Sequence, residues 1–256
     1  MDYYPLQIIN LGRNRTDSGY TEYLPAPALR EYVLCYWFFR REGLVGDVLV
    51  NPDCCADIIF NLKPSSPDDF ALITGTFGSG FHAPGTGICT CGIRLQPGMT
   101  YHLIREGVDS LSGGPVPAVS FRSLRIEHVA GRILGRTNRE IADFFDSFLP
   151  SVFADIVIRE SRFVYSRGIF NALVAGDPAA LDVSEKTADR YFLKYFGLSR
   201  KKVSSILRFQ KSVRHIAGGG LSVPEGYCDQ SHFIKDFRKY SGLTPLEFAR
   251  KAFPLK

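Results

Sequence analysis

The sequence lacks the features that mark a membrane-spanning or exported protein. No apolar run approaches the ~20 residues that a membrane helix needs. The first residues, MDYYPLQIINLGRNR, have no basic start followed by an apolar core, which a secretory signal requires. These absences predict a cytoplasmic protein that does not associate with a membrane.

The sequence also has few residues arranged for catalysis or metal binding. His82 and His102 stand alone, and the six cysteines include an adjacent pair and a C-x-C but no C-x-x-C. The glycine-rich FGSGFHAPG is not followed by G-K-[ST], so it predicts hairpin turns and not a phosphate-binding loop. We expect no metal, no cofactor and no enzymatic activity. Reduced, mostly buried thiols are favoured over a redox or soft-metal cluster of cysteines.

Positive charge is scarce in the first part of the chain and concentrated in the last. Residues 1–150 carry 13 Lys and Arg against 16 Asp and Glu, whereas residues 151–256 carry 18 against 10. Because a basic block attracts polyanions, only the C-terminal part is expected to meet nucleic acid. With 256 residues, of which 45% are hydrophobic, the chain can form one large or two ordinary globular domains.

The N-terminal part reads as β structure. DVLVNPDCCADIIFNL predicts two short strands around a turn, ICTCGIRLQPG a strand ended by Pro-Gly, and FALITGTFGSGFHAPGTG strands joined by glycine turns. Short strands with frequent turns favour a barrel or sandwich. From Ser123 the spacing of apolar residues becomes helical, and Gly131 and Gly135 favour two shorter helices here, which link domains or pair with a second subunit.

A repeat of 45 residues lies in the C-terminal part. Both copies read F-x-K-Y-x-G-L-[ST], and each begins with a capping residue, Ser184 or Asp229. A glycine that can end the helix follows in each copy, and then a Ser or Thr that can cap the next helix. Cap, helix, glycine and new helix are the parts of a helix-turn-helix. Between the copies, RKKVSSILRFQKSVRHIA predicts one long helix with an apolar stripe and a cationic side.

These residues carry a family resemblance. GYCDQSHFIKDFRKYSGLTPLEF resembles the C-terminal signature of AraC/XylS-family transcriptional regulators, and VSEKTADRYFLKYFGLSRKKVSSILRFQ resembles their first helix-turn-helix unit. PALREYVLCYWFF, VNPDCCADIIFNL and GIRLQPGMTYHLI resemble the cupin-like sensor half of some members. Together the similar segments cover most of the chain.

The resemblance implies an α+β protein, with a β-rich, cupin-like barrel followed by an all-α domain that has two helix-turn-helix units. The expected division is a sensor at 1–122, linker or dimerisation helices at 123–158 and a DNA-binding domain at 159–256. The implied function is sequence-specific binding of double-stranded DNA, with the two recognition helices in successive major-groove segments. A small-molecule effector and a homodimer are further partners that the resemblance implies.

Candidate contact residues follow from the two recognition helices and the connecting helix. We expect base-facing side chains at Glu185, Lys186, Thr187, Asp189 and Arg190 in the first unit, and at Gln230, Ser231, Lys235 and Arg238 in the second. We expect phosphate contacts from Arg200, Lys201, Lys202 and Lys239. His232 is expected to pack in the first turn of its helix rather than to read a base.

The chain departs from the family before each recognition helix. GGGLSVPE and AGDPAALDV stand where the family has a full scaffold helix, and their glycines and prolines oppose helix formation; Pro178 is expected to open at most a single turn. This departure leaves open a second function, a small-molecule or protein-binding module whose DNA-binding half is degenerate. A cupin-like enzyme is the third and least favoured alternative.

Overall fold

The N-terminal half is built on antiparallel strands. The computed structural model describes residues 3–7, 19–40, 48–83, 89–104, 108–111, 114–157, 160–176 and 184–252. A six-stranded sheet has the order β1-β2-β7-β4-β5-β8, and β3 pairs with β6 in a separate two-stranded sheet. The strands are β1 (Tyr20–Tyr23), β2 (Val33–Arg40), β3 (Val48–Val50), β4 (Ala56–Asn61), β5 (Ala71–Ile73), β6 (Phe81–Ala83), β7 (Cys89–Leu95) and β8 (Val116–Pro117).

The remaining described elements are helical. The α-helices are α1 (Met99–Ile104), α2 (Ala130–Ile133), α3 (Asn138–Val157), α4 (Glu160–Ala175), α5 (Glu185–Phe196), α6 (Arg200–Ala217), α7 (Gln230–Ser241) and α8 (Pro245–Ala252). Short 3-10 turns join the strands, among them Val108–Leu111. The predicted order of a β-rich half followed by a helical half is therefore confirmed. No helix in the described ranges combines the length and the apolar character that a membrane span requires.

One face of the large sheet packs against helix α3. Side chains alternate along β4, so that Ile58 and Phe60 are buried in the same core as Phe145 of α3. Gly135, with φ of 75°, separates α2 from α3, as the glycines in the sequence predicted. The helices of 123–158 thus cover the sheet of their own chain. Their predicted role in linking or dimerisation remains a proposal.

The other face of the sheet carries a buried ion-pair cluster. Nε of Arg94 on β7 lies 3.2 Å from Oδ1 of Asp57 and 3.7 Å from Oδ2 of Asp53, and Nη1 of Arg94 lies 3.9 Å from Glu22. Trp37 donates a hydrogen bond from its indole nitrogen to the same Asp57 oxygen. Buried charge is tolerated here because it is paired on several sides.

The two halves of the chain share a second hydrophobic core. Leu49 and Cys54 of the N-terminal half are buried with Phe209 of α6 and Tyr240 of α7. Gln210 of α6 donates to the carbonyl oxygen of Pro52 and accepts from the amide of Leu6. The helical half therefore packs against the sheet half through both apolar and polar contacts.

The cysteines are unpaired, as the sequence predicted. Cys35, Cys54, Cys55 and Cys91 are buried, Cys89 is half-buried and Cys228 is exposed. Burial raises the pKa of the Cys54 and Cys55 thiols well above the ordinary value. These thiols are thus neutral packing groups at physiological pH.

Candidate nucleic-acid interface

Helix α5 begins and ends as the repeat predicts. Oγ of Ser184 accepts a hydrogen bond from the amide of Thr187, and Gly197 ends the helix with φ of 67°. Phe192 and Phe196 are buried on the inner side of the helix. Of the five predicted base-facing residues on this helix, Thr187 is half-buried. The other four are exposed: Glu185, Lys186, Asp189 and Arg190.

Arg200 lies between two carboxylates of that exposed side. Its Nη2 is 3.2 Å from Oε1 of Glu185 and its Nε is 3.2 Å from Oδ1 of Asp189. Such exposed pairs add little to stability, but the cation offsets negative charge that would face a DNA phosphate. The structure therefore gives Arg200 partners within the protein, and its predicted phosphate contact remains a prediction.

Helix α7 repeats the construction of α5. A side-chain oxygen of Asp229 accepts from the amide of His232 at 2.7 Å, and Gly242 ends the helix with φ of 71°. Phe233 and Phe237 are buried, whereas the predicted contact residues Gln230, Ser231, Lys235, Arg238 and Lys239 are all exposed. Ser231, Lys235 and Arg238 line one shallow groove of about 620 Å³. The second unit thus presents a basic, accessible face.

His232 packs in the first turn of α7, as expected. Its Nδ1 accepts a weak hydrogen bond from the amide of Cys228 at 3.4 Å, and its ring meets the ring of Tyr227 at 5.3 Å between centroids. The imidazole therefore helps to close the loop before the helix.

No scaffold helix precedes α7, which agrees with the glycines and the proline of GGGLSVPE. Residues 218–229 are turns and bends, and α7 is supported instead by the connecting helix α6. Nη2 of Arg208 donates to Oδ2 of Asp236 at 2.9 Å, and the guanidinium lies 5.1 Å from the centroid of the Tyr227 ring. Gly226 has φ of 93°, and a β-carbon there would lie 3.2 Å from Cδ of Arg208. The corresponding segment before α5, residues 177–183 with Pro178, lies outside the described residues.

The sequence did not reveal this support. It placed Arg208 and Arg214 on a cationic side of the connecting helix, but Arg208 pairs with Asp236 and Arg214 donates to the carbonyl oxygen of Tyr4. The one available signal was Asp236, a single carboxylate between Lys235 and Phe237 on an otherwise basic helix. Pairing partners more than twenty residues apart cannot be matched from spacing alone.

The four predicted phosphate contacts differ in accessibility. Lys201 and Lys239 are exposed, whereas Lys202 and Arg200 are half-buried. Nζ of Lys202 lies 5.0 Å from the centroid of the Tyr240 ring, beneath the loop between β5 and β6. Burial, and then the charge of Lys239, lower the pKa of Lys202. This lysine faces the N-terminal half of the chain.

Comparison with known proteins adds two family matches. Residues 179–251 match a family described as a helix-turn-helix domain, and residues 21–117 match a domain of unknown function, DUF6597. No curated protein matches the chain. The first match confirms the helix-turn-helix domain that the sequence predicted.

Two solved structures of ToxT from Vibrio cholerae are distantly similar. The structure of an apo variant has a sequence 10% identical to this chain and a TM-score of 0.37. The match covers 83% of this chain and 100% of the ToxT chain. A second ToxT structure has a sequence 9% identical to this chain and a TM-score of 0.36. The match covers 93% of this chain and 98% of the ToxT chain. We draw no conclusion from similarities at this level.

Proposed function

We propose that this chain, whose residues 179–251 match a helix-turn-helix domain family, is a DNA-binding regulator of transcription of the AraC type. The observation that carries the proposal is the repeated construction of α5 and α7. Each has a side-chain cap, a buried aromatic face, an exposed polar face and a left-handed glycine at its end. Joined by α6, the two helices are suited to successive major-groove segments about 34 Å apart.

The exposed faces supply the proposed DNA contacts. The base readers are Glu185, Lys186, Thr187, Asp189 and Arg190 on α5 and Gln230, Ser231, Lys235 and Arg238 on α7. Lys201 and Lys239 are the accessible phosphate contacts, and Lys202 and Arg200 join them when DNA draws them outward. The division into a sensor at 1–122, connecting helices at 123–158 and a DNA-binding domain at 159–256 is part of the same proposal. We also propose that the protein binds a small-molecule effector, forms a homodimer and is located in the cytoplasm.

The support of α7 favours this function over a degenerate DNA-binding half. A missing scaffold helix would leave the recognition helix unsupported if nothing replaced it. Phe209 meets Phe237 at 5.0 Å between ring centroids, Ser212 donates to the Tyr227 hydroxyl, and Arg208 pairs with Asp236. Because these contacts fix α7 on α6, the shortened segment is compatible with a recognition helix held ready for DNA.

A salt titration of duplex binding tests the proposal. Fluorescence polarisation with genomic fragments selected by the full-length protein should give an affinity that falls steeply with salt, because phosphate contacts release counterions. Lys235→Ala and Arg238→Ala should each weaken binding. A base reader costs about 1–3 kcal/mol for its own base pair, and a phosphate contact lowers the salt slope by about 1.

Arg132→Ala is the matched control, since it removes one exposed positive charge from α2, outside the residues that match the helix-turn-helix family. It should leave both the affinity and the salt slope unchanged. The proposed function would be contradicted if the affinity for duplex DNA did not change with salt concentration and was the same in wild type and in the Lys235→Ala/Arg238→Ala double variant.

A further inference from the structure

A cavity lies where the sheet half meets the first helix-turn-helix unit. It has a volume of about 410 Å³, within the roughly 300–1,000 Å³ range of small-molecule sites, which occur preferentially at domain interfaces. One wall is the loop from Gly75 to Phe81, and another is the 3-10 turn Val108–Leu111. The third is the end of α5 and the turn after it, Phe196 to Leu198.

The described lining of the cavity is mainly apolar and carries no charged side chain. Its described lining contains no Asp, Glu, Lys, Arg or His. Phe77 and Phe81 form an aromatic pair with ring centroids 4.6 Å apart, and Phe81 remains 37% exposed. The hydroxyls of Thr76 and Ser79 are the polar side-chain groups of the wall. Large apolar side chains that stay open to a concave surface mark a binding site, since burying them is favourable.

The sheet core is, by contrast, already filled. Tyr36, Phe38 and Phe60 are each at most 1% exposed in the cluster that packs on α3. A ligand on that side would have to displace close-packed side chains. The opening at the junction of the halves accepts a molecule without such a cost.

We propose that this cavity binds a small, uncharged and mainly apolar organic molecule that carries one hydrogen-bonding group. The aromatic pair and the aliphatic wall contact its apolar body, and Thr76 or Ser79 meets its polar group. The proposed regulation rests on the DNA-binding function argued above; the binding site itself does not.

The loop that lines the cavity also touches both helix-turn-helix units. The amide of Gly80 donates to the carbonyl oxygen of Tyr240, at the end of α7, at 2.9 Å. A β-carbon at Gly78 would lie 3.0 Å from Cε of Lys202, so the loop covers a proposed phosphate contact. Occupancy of the cavity and availability of this lysine therefore depend on the same segment.

The direction of the coupling follows from the arrangement itself. A molecule that fits the cavity as it stands stabilises the conformation in which the loop covers Lys202. The same conformation holds the end of α7 against the sheet half. The bound molecule should therefore weaken DNA binding, and DNA should weaken its binding by the same factor.

Neutral probes test the site on the full-length protein without DNA. Indole and cyclohexanol should bind by calorimetry and raise the melting temperature, whereas benzoate, an anion, should bind at least tenfold more weakly than indole. Thr76→Trp should fill the cavity and abolish indole binding. Leu24→Trp, at a residue that follows β1 and is 66% exposed, is the matched control and should retain indole binding.

Absence of indole and cyclohexanol binding at millimolar concentration, or indole binding that survives Thr76→Trp, would overturn the site. Benzoate binding as tightly as indole would overturn its uncharged character. Thermal unfolding of the Thr76→Trp variant must remain cooperative. If it does not, Ser79→Trp, at an exposed loop position, replaces it in the same comparison.

A second experiment measures the coupling between occupancy of the cavity and DNA binding. Saturating indole should raise the duplex dissociation constant at least about fivefold, the lower end of typical coupling between sites. In Gly80→Ala, where the added β-carbon would clash with the Tyr240 carbonyl, the indole effect should disappear and basal DNA affinity should rise. Indole binding without any change in DNA affinity would overturn the regulation but not the site. Absence of DNA binding in every condition would count against the proposed function, while the calorimetric arm still decides the cavity.

Discussion

Arg208 on α6 and Asp236 on α7 form a 2.9 Å hydrogen-bonded ion pair that joins the connecting helix to the second recognition helix. The same guanidinium faces the Tyr227 ring, so one side chain supports both α7 and the loop before it. The pair replaces part of what a scaffold helix would provide.

We predict that Arg208→Lys destabilises the helical half, since a lysine keeps the charge but loses the planar stack on Tyr227. The expected loss in the free energy of unfolding is about 1–2 kcal/mol. A double-mutant cycle with Arg208→Ala and Asp236→Ala, followed by urea denaturation, should give a coupling energy of about 1 kcal/mol. Additive losses in the cycle would show that the two residues stabilise the protein independently.

Gly226→Ala should cost more than Gly219→Ala. Both glycines have left-handed backbones, with φ of 93° and 89°, so alanine is strained at either position by about 1 kcal/mol. Only at Gly226 does the new β-carbon meet Arg208, whereas nothing lies within 4 Å at Gly219. We expect Gly226→Ala to lose about 1 kcal/mol more, because Arg208 must shift from its partners. Equal losses by thermal denaturation would contradict this account of the loop.

Arg200→Ala should weaken DNA binding by unmasking negative charge. Without the guanidinium, the carboxylates of Glu185 and Asp189 face the DNA without compensation. On a non-specific duplex, where base contacts of Glu185 and Asp189 play no part, the additional changes Glu185→Gln and Asp189→Asn should restore most of the affinity, measured by polarisation at low salt. Since Arg200 is also a proposed phosphate contact, the recovery should be incomplete; a triple variant that binds as weakly as Arg200→Ala alone would contradict the masking of the two carboxylates.

Two capping boxes, Thr137 with Glu140 and Thr244 with Glu247, predict that the stability of the protein depends on pH. Hydrogen bonds from Thr244 lower the pKa of Glu247 at the start of α8, and bonds from Thr137 lower the pKa of Glu140 in the first turn of α3. A lowered folded-state pKa stabilises the protein above the ordinary glutamate value, about 4.3, and this contribution is lost as the pH falls through the folded-state value. Glu247→Gln and Glu140→Gln should therefore destabilise the protein at pH 7 but hardly at pH 3. Urea midpoints that shift equally at both pH values would rule out the capping carboxylates as the cause.

Local chemistry made much of the helical half predictable. Ser184, Asp229 and the glycines that end α5 and α7 act within a few residues of chain, so spacing alone places both helices correctly. The two strands of DVLVNPDCCADIIFNL and the break at Gly135 are local in the same sense, although the two strands pair in different sheets.

Contacts between distant segments were not predictable. The bond from Gly80 to Tyr240 joins residues that no periodic pattern relates, and the cavity beside it exists only because the halves are packed together. The exposure of Lys235 and Arg238 followed from helical period, whereas the covering of Lys202 required knowledge of the opposite half. Whether the exposed residues read bases stays a prediction until DNA binding is measured.

Gln210 makes the orientation of α6 inseparable from that of the sheet half. Its carboxamide oxygen accepts from Leu6 and its nitrogen donates to Pro52, each at 2.9 Å, and an amide is the side chain that offers both polarities at one tip. Because α6 also connects α5 to α7, the orientation of both helix-turn-helix units depends on these two bonds to the N-terminal half. A movement of the N-terminal half would thus either carry α6 with it or break both of these hydrogen bonds.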